Sequence, residues 1–348
     1  MNRRWVCNDV LMDILPFIEC VELGLTLALI SDRFDGLVDT HFDGKSELTI
    51  WKAIEIHKYK VAVPELVVFI KNANSVPFPL PDHSLHNKIR FKSLQIWYID
   101  HYVIAFLRAN QQIWDNGTNL DLYVPSSNII NTQPIWNDFL LQIWPIFAPN
   151  IRQLCFRNGD HLDNLRRLMS PTILTDCNQF NSINSFWLFP DAIAADDGPN
   201  AIPTAGQALS KWLHTPRKDG QPKRLDCFLK PPNNEWANNI NTLKTKFFNA
   251  TASSSVNYKI QFIVRPKSTQ IVPFELSNER TKEKLTLIKT SENHWDDRWI
   301  IKRCQIGETT AAVQWEYDLN SSNLNNVQFM LDSDNNCIGP FSPPEQQQ

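Results

Sequence analysis

No charge of one sign dominates this chain: 34 Lys and Arg stand against 37 Asp and Glu over 348 residues, a formal net charge of -3. That balance argues against a function organised by capture of a polyanion. Long apolar runs are also missing. The longest uncharged apolar stretch, Leu23 to Ile30, is far short of the roughly 20 residues that a membrane-spanning helix needs. Asp9, Asp13 and Glu19 interrupt any apolar core that a leader beginning Met1-Asn2-Arg3-Arg4 would require. The chain is therefore expected in the cytoplasm or nucleus, off the membrane. Cys-x-x-Cys pairs are absent. The seven cysteines (Cys7, Cys20, Cys155, Cys177, Cys227, Cys304, Cys337) are odd in number and irregularly spaced, which fits reduced thiols better than a zinc site or a disulfide framework. The Asn-x-Ser/Thr triplets at Asn116, Asn249 and Asn320 are read as chance without a secretory route.

Catalytic and cofactor signatures are lacking as well. There is no Gly-x-Ser-x-Gly elbow, no Gly-x-Gly-x-x-Gly fingerprint and no His-Glu-x-x-His helix. Gly44-Lys45-Ser46 ends like a phosphate loop, but Asp39 occupies the upstream glycine position. Asp332, Asp334 and Asn336 begin like a calcium loop whose turn glycine is replaced by Cys337 and whose closing glutamate by Pro343. His83 and His86 have no third ligand beside them in a proline-flanked loop. The basic cluster Arg217, Lys218, Lys223, Arg224 carries no interleaved aromatics, so a solvated loop outweighs a nucleic-acid patch. No metal, cofactor or catalytic residue is expected.

What is present is apolar and aromatic. With 43% apolar and 20% charged residues, 12 Trp and 20 Phe, the chain is globular and long enough for two or three packed units. Its first forty-odd residues form a pattern of their own. Asn8 to Leu15 reads as a helix with Asn8 as N-cap and Leu11, Ile14 and Leu15 on one face. Val21 to Ile30 reads as a nearly all-apolar helix. A third helix opens at Ser31 or Asp32 and carries Phe34, Leu37 and Val38. A unit of this size buries too little apolar surface to stand alone. It is also acidic, with three Lys or Arg against eight Asp or Glu between Met1 and Asp43.

The order Val6-Cys7-Asn8-Asp9-Val10-Leu11, Ile14-Leu15, Glu19-Cys20-Val21-Glu22-Leu23 and Ala28-Leu29-Ile30-Ser31-Asp32-Arg33-Phe34 resembles the F-box motif. The remainder, with Trp212-Leu213-His214-Thr215-Pro216 and Ile271-Val272-Pro273-Phe274-Glu275-Leu276, resembles the long C-terminal regions of the F-box proteins expanded in plant-parasitic nematodes. One departure is Val6-Cys7 where the family has Leu-Pro. The resemblance implies a non-catalytic receptor subunit of a Skp–cullin–F-box ubiquitin ligase. Its partners would be a Skp-type adaptor, through it a cullin scaffold, and a protein substrate. Val10, Leu11, Ile14, Leu15, Leu23, Ile30 and Phe34 would share the adaptor interface and the internal packing.

After a proline-rich connector over 46–90, strand and helix signals alternate. Strands are expected at 91–97, 119–124, 151–156, 183–188, 224–229 and 258–263. Between them lie helices capped by Asp100 and Asp160, one from Pro134 through Trp136, Phe139, Leu140, Ile143, Trp144 and Phe147, one from Ala208 to Leu213, and one with Trp236, Ile240, Leu243 and Phe247. Strand starts recur irregularly, about every 27 to 40 residues. The expected fold is α/β: an N-terminal three-helix F-box over 1–45, then a leucine-rich-repeat-like strand–helix solenoid over 91–265. An antiparallel β cap over 266–339 and a disordered tail over 340–348 complete it, with an open doubly wound sheet as the second choice.

Strand alternation then assigns faces. Leu94, Ile96, Leu120, Leu122, Leu154, Phe156, Phe186, Leu188, Leu225, Ile260 and Phe262 are expected inward. The exposed row would hold Gln95, Gln153, Ser185 and Asp226 beside Trp97, Asp121, Tyr123, Arg157, Trp187, Phe228 and Gln261, the last seven being the candidate substrate-binding residues. Two rival functions remain open: a carbohydrate- or peptide-binding module without ligase linkage, and an enzyme on a doubly wound sheet.

Overall fold

A computed structural model describes residues 6–18, 23–43, 49–51, 53–57, 65–69, 76–80, 89–91, 93–114, 118–123, 141–156, 159–168, 170, 172–177, 180–191, 203–229, 235–251, 256–264, 271–292, 296–306 and 325–330. The chain divides into two compact units: 1–118, 130–150 and 323–348 form one, and 119–129 with 151–322 form the other.

The first unit begins with helices. α1 spans Asn8–Ile14 and tightens into a 3-10 turn, Leu15–Phe17, at Pro16. Asn8 is the first helical residue rather than the cap. Cys7 holds the cap position with extended backbone and no side-chain capping bond, its thiol donating to the Asp9 carboxylate, while Asn8 Oδ1 accepts from the Arg33 guanidinium at 2.6 and 3.0 Å. The helix expected over Val21–Ile30 is a π turn, Leu23–Leu27, followed by a 3-10 turn, Ala28–Ile30. A glycine in an apolar run weakens regular α-helix, and such wide turns are rare. α2 then spans Asp32–Asp43, with Asp32 and Asp35 in its first turn where the helix dipole favours carboxylates. Leu15, Leu23, Leu37, Val38 and Phe42 are buried together, and Leu11, Met12, Ile18, Leu27 and Ala28 pack around them.

The proline-rich stretch read as a connector holds strands. β1 (Thr49–Trp51) and β5 (Ile89–Phe91) pair in parallel. β2 (Ala53–His57), β3 (Glu65–Phe69) and β4 (Val76–Pro79) form an antiparallel meander. Pro77 and Pro79 fit there because β4 is an edge strand, which has one side free of ladder bonds. β2 pairs in parallel with β6 (Ser93–Ile96), whose Leu94 and Ile96 are buried as expected. α3 (His101–Ala109) follows, capped as expected by Asp100, whose Oδ1 accepts from the amides of Tyr102 and Val103 at 2.9 and 3.1 Å. Val103, Phe106 and Leu107 are buried. So are Trp114 of α4 (Gln111–Trp114) and Phe147 of α5 (Trp144–Phe147), whose rings lie 5.4 Å apart. Trp136, Phe139 and Leu140 lie outside the described residues, as does the tail over 340–348.

The second unit is an eight-stranded mixed sheet in the order β12-β13-β14-β11-β10-β9-β8-β7. β7 is Thr118–Tyr123, β8 Ile151–Phe156, β9 Ser182–Phe186, β10 Lys223–Leu229 and β11 Tyr258–Val264. β8 to β11 are parallel and lie side by side in chain order. β12 (Phe274–Asn278), β13 (Glu283–Glu292) and β14 (Asp297–Gln305) then continue the sheet antiparallel from β11. The chain is thus α/β with antiparallel C-terminal strands, and no solenoid is detected among the described residues. The segment Asn325–Met330, inside the expected antiparallel cap over 266–339, is β15 and pairs in parallel with β6 of the first unit.

The connecting helices are α6 (Gly159–Leu168), α7 (Ile173–Asp176), α8 (Ala205–Leu213) and α9 (Glu235–Asn249). α6 includes Asp160 in its first turn. α8 starts three residues earlier than the sequence reading, at a capping box: Thr204 Oγ1 accepts from the Gln207 amide at 3.1 Å and the Gln207 side chain returns to the Thr204 amide at 2.7 Å. A methyl group at Gly206 would overlap the Asp191 carboxylate, which accepts from Thr204 Oγ1 at 2.6 Å. The face under α8 and α9 holds Leu225, Cys227, Tyr258, Ile260 and Phe262, all buried.

Candidate functional site

Two surfaces carry the residues singled out from sequence. The first is on α1. Side chains at i, i+4 and i+7 share one helical face, and Val10, Ile14 and Phe17 occupy those positions. They are 50%, 46% and 89% exposed, and Val6 precedes them on the same spacing. Ile30, at the end of the 3-10 turn, is 60% exposed. The opposite face of α1 points Leu11 and Leu15 at the helical core. The seven candidate adaptor residues therefore divide. Val10, Ile14 and Ile30 are presented to solvent, Leu11 and Phe34 are half-buried, and Leu15 and Leu23 are core. Phe17 was missed because Pro16 reads as a helix stop. Following the i, i+4, i+7 stripe one turn past the proline would have found it.

The second surface is the outer face of the sheet in the second unit. Its rows follow from strand register. Cys155, Asn184, Asp226 and Gln261 are successive partners across β8 to β11. Phe186, Phe228 and Ile263 form the next row, with the two phenylalanine rings 6.0 Å apart. Gln153, Ser182, Arg224 and Lys259 form a third. Phe228, Gln261 and Asp226 therefore stand on the expected face.

The assignment for β9 is inverted. Ser185 is buried beside Cys227, and Phe186 is on the outer face. The reason is local satisfaction: the Ser185 hydroxyl donates to the Leu188 carbonyl at 2.8 Å, so a polar residue is tolerated inside and closes the turn after the strand. That turn leaves Leu188 half-buried and holds Trp187 at φ 61, with its amide donating to the Phe228 carbonyl at 2.7 Å. A left-handed backbone in a bulky residue costs roughly 1–2 kcal/mol, yet Trp187 is 59% exposed.

Of the other candidates, Trp97 follows β6 in the first unit and is half-buried, with its amide donating to Ile56 at 2.9 Å. Asp121 is half-buried in β7, and Tyr123 is placed in β7 by its backbone. Arg157 lies outside the described residues. The structure thus brings Phe228, Gln261 and Asp226 together with Phe186 and Asn184, which sequence reasoning did not select.

The electrostatics of the outer face are mixed. Arg224 Nε lies 2.7 Å from Asp226 Oδ2. Burial raises the Asp226 carboxyl above its ordinary range, while the Arg224 and Lys259 cations oppose that shift. Oδ1 of Asn184 and Oδ1 of Asp226 are shielded from solvent and accept no hydrogen bond among the described residues. Such acceptors are costly unless an N–H or O–H donor reaches them. Among the described residues no group of three or more His, Cys, Asp or Glu could hold a metal ion, and no helix is long and apolar enough to cross a membrane.

No family model, curated protein or solved structure matches the chain.

The two surfaces differ in kind. One is an apolar stripe on a small helical element. The other is a polar and aromatic sheet face.

Proposed function

We propose that this chain is a non-catalytic substrate-recognition subunit of a Skp–cullin–F-box-type ubiquitin ligase. In this reading its N-terminal helices are an F-box that docks on a Skp-type adaptor, and its sheet-bearing body holds a protein substrate. The observation that carries the reading is the exposed stripe Val10, Ile14, Phe17, joined by the exposed Ile30, on helices whose other face is already packed around Leu15, Leu23, Leu37, Val38 and Phe42. Fully burying one aliphatic side chain is worth about 1.5–3 kcal/mol, so a partner covering three or four of these gains several kcal/mol. Asp32 and Asp35 in the first turn of α2 give the same helical unit negative charge, which would restrict which partners approach.

The body would contribute specificity rather than chemistry. The outer face of the second unit offers Phe186, Phe228 and Trp187 as aromatic anchors. Asp226 and Gln261 stand as a polar pair in the neighbouring row. Tethering a substrate near a charged conjugating enzyme raises its effective concentration, which turns an intermolecular transfer into a near-intramolecular one. No residue of this chain then touches the reacting atoms.

The test is co-purification of the full chain with a recombinant Skp-type adaptor. Val10→Asp with Ile14→Asp should abolish the complex while the circular dichroism spectrum and thermal melt stay unchanged. Full retention of binding by that variant would remove the stripe from the interface. A carbohydrate- or peptide-binding module remains the second reading, favoured by the same aromatic side chains on the sheet face. It predicts ligand capture on the sheet face with no adaptor bound.

A further inference from the structure

Trp187 occupies a position that suits glycine or asparagine. Its φ of 61 puts a bulky residue in the left-handed region, and the side chain is exposed, so neither backbone nor burial favours an indole there. Two bonds fix the turn: the Trp187 amide donates to the Phe228 carbonyl at 2.7 Å, and the Ser185 hydroxyl donates to the Leu188 carbonyl at 2.8 Å. The indole is therefore displayed on a preorganised turn at the carboxyl end of β9. Strain held in place beside exposed aromatic surface marks a binding position.

The register supplies its surroundings. Phe186, Phe228 and Ile263 are partners across β9, β10 and β11, and Arg298 of β14 is the partner of Ile263. Residues directly opposite in a ladder share a face, so this row runs from aromatic rings to a guanidinium. Arg298 is exposed and has no carboxylate at ion-pair distance among the described residues. The described carboxylates on this face from β8 to β12 are already engaged: Asp226 with Arg224 and Glu275 with Lys284, each at 2.7 Å. Lys259 and Lys302, partners across β11 and β14, add positive charge one row beyond Asp226. Asp121, on β7, lies five strands from β14. The surroundings of the row therefore favour an anion.

Spacing fixes the form of the ligand. Neighbouring strands lie about 4.8 Å apart, so the three gaps from β9 to β14 span about 14 Å. An extended peptide laid across the strands rises about 3.3 Å per residue and turns alternate side chains to one face. Its residues i, i+2 and i+4 then meet Trp187 with Phe186, Phe228 with Ile263, and Arg298. We infer that this row binds an extended acidic-aromatic segment of the substrate protein: an aromatic residue at i, an apolar one at i+2 and an Asp or Glu at i+4. The inference rests on the receptor reading and names its substrate class.

Calorimetric titration of the full chain with acetyl-Ser-Phe-Ser-Leu-Ser-Glu-Ser-amide, and with the same residues in reverse order, tests it. One of the two should bind saturably, one to one. Gln in place of the peptide Glu should weaken that binding about fivefold. Arg298→Gln should weaken the Glu peptide equally and the Gln peptide not at all, as a charge pair requires. Trp187→Asn should weaken binding about tenfold or more while its denaturation midpoint rises. The inference is overturned if neither peptide saturates, if the Glu and Gln peptides bind alike, if Trp187→Asn keeps full affinity, or if chitotriose binds and the peptides do not. A chain that binds the Skp-type adaptor but neither peptide sinks this inference alone. Peptide binding without adaptor binding leaves the site standing and removes its ligase role.

Discussion

α1 and α8 are of similar length and similarly rich in apolar residues, and they end in opposite circumstances. α8 opens with a complete capping box at Thr204 and Gln207 and buries Leu209, Trp212 and Leu213. Lys223, beneath it, donates to the Trp212 and Thr215 carbonyls at its C-terminal end, with its ammonium 5.1 Å from the Trp212 ring. α1 has no side-chain cap and no fully buried residue. Its Val10 and Ile14 face outward. Apolar composition is common to both, so composition does not decide which helix is core. What decides it is whether the chain provides its own cover, and on the outer side of α1 the described residues provide none. The account of function rests on that contrast.

Truncating one side chain on each helix breaks the comparison most sharply. Leu209→Ala, at a fully buried site, should cost about 2–5 kcal/mol, whereas Ile14→Ala should stay within about 0.5 kcal/mol. Urea titration of both variants reads this directly, and equal costs would mean that the α1 stripe is covered. Capping comes next. Thr204→Ala should lose about 0.5–2 kcal/mol. Cys7→Ser supplies the oxygen that the α1 cap position lacks and should leave stability equal or higher. A thermal-shift comparison that reversed these signs would contradict the cap assignments.

A smaller effect is expected at Trp187. Asn accepts the left-handed backbone more readily than Trp, so Trp187→Asn should raise stability by roughly 0.5–1 kcal/mol. A loss of that size would show the indole to be a packing residue rather than an exposed anchor. The smallest effect is on pH dependence. Burial lowers the His214 pKa below its free value of 6.5, so below that value the unfolded chain binds a proton that the folded chain does not. Its contribution is therefore complete above about pH 6.5 and is lost as pH falls. His214→Gln should flatten the acid side of the stability profile, measured by denaturant titration between pH 5 and pH 8.

The parallel strands were legible in the sequence because alternation over Arg224–Leu229 and Tyr258–Ile263 is regular and each strand's buried row is apolar. Asp100 was legible as a cap because it precedes an apolar helical stripe. The β9 faces were not, since Ser185 satisfies its hydroxyl on Leu188 and so imitates an apolar residue. The start of α8 was readable in the Thr204-x-x-Gln207 box, a signal passed over in favour of periodicity. β15 was misplaced because its pairing with β6 joins residues more than 200 positions apart, and local pattern carries no information about partners at that range. On α1, spacing set Ile14 on one face with Leu11 and Leu15, whereas Ile14 is exposed beside Val10 and only Leu11 and Leu15 turn to the core. Nor did spacing separate Leu15 and Leu23 from the interface, because a buried leucine and a docking leucine look alike until the core is packed.

The most direct measurement is titration of the full chain with a purified Skp-type adaptor, comparing the unaltered protein with Val10→Asp plus Ile14→Asp by calorimetry. The account predicts one-to-one binding that weakens by on the order of a hundredfold or more in the variant, with the denaturation midpoint unchanged. No binding by the unaltered chain, or equal binding by both proteins, would contradict it.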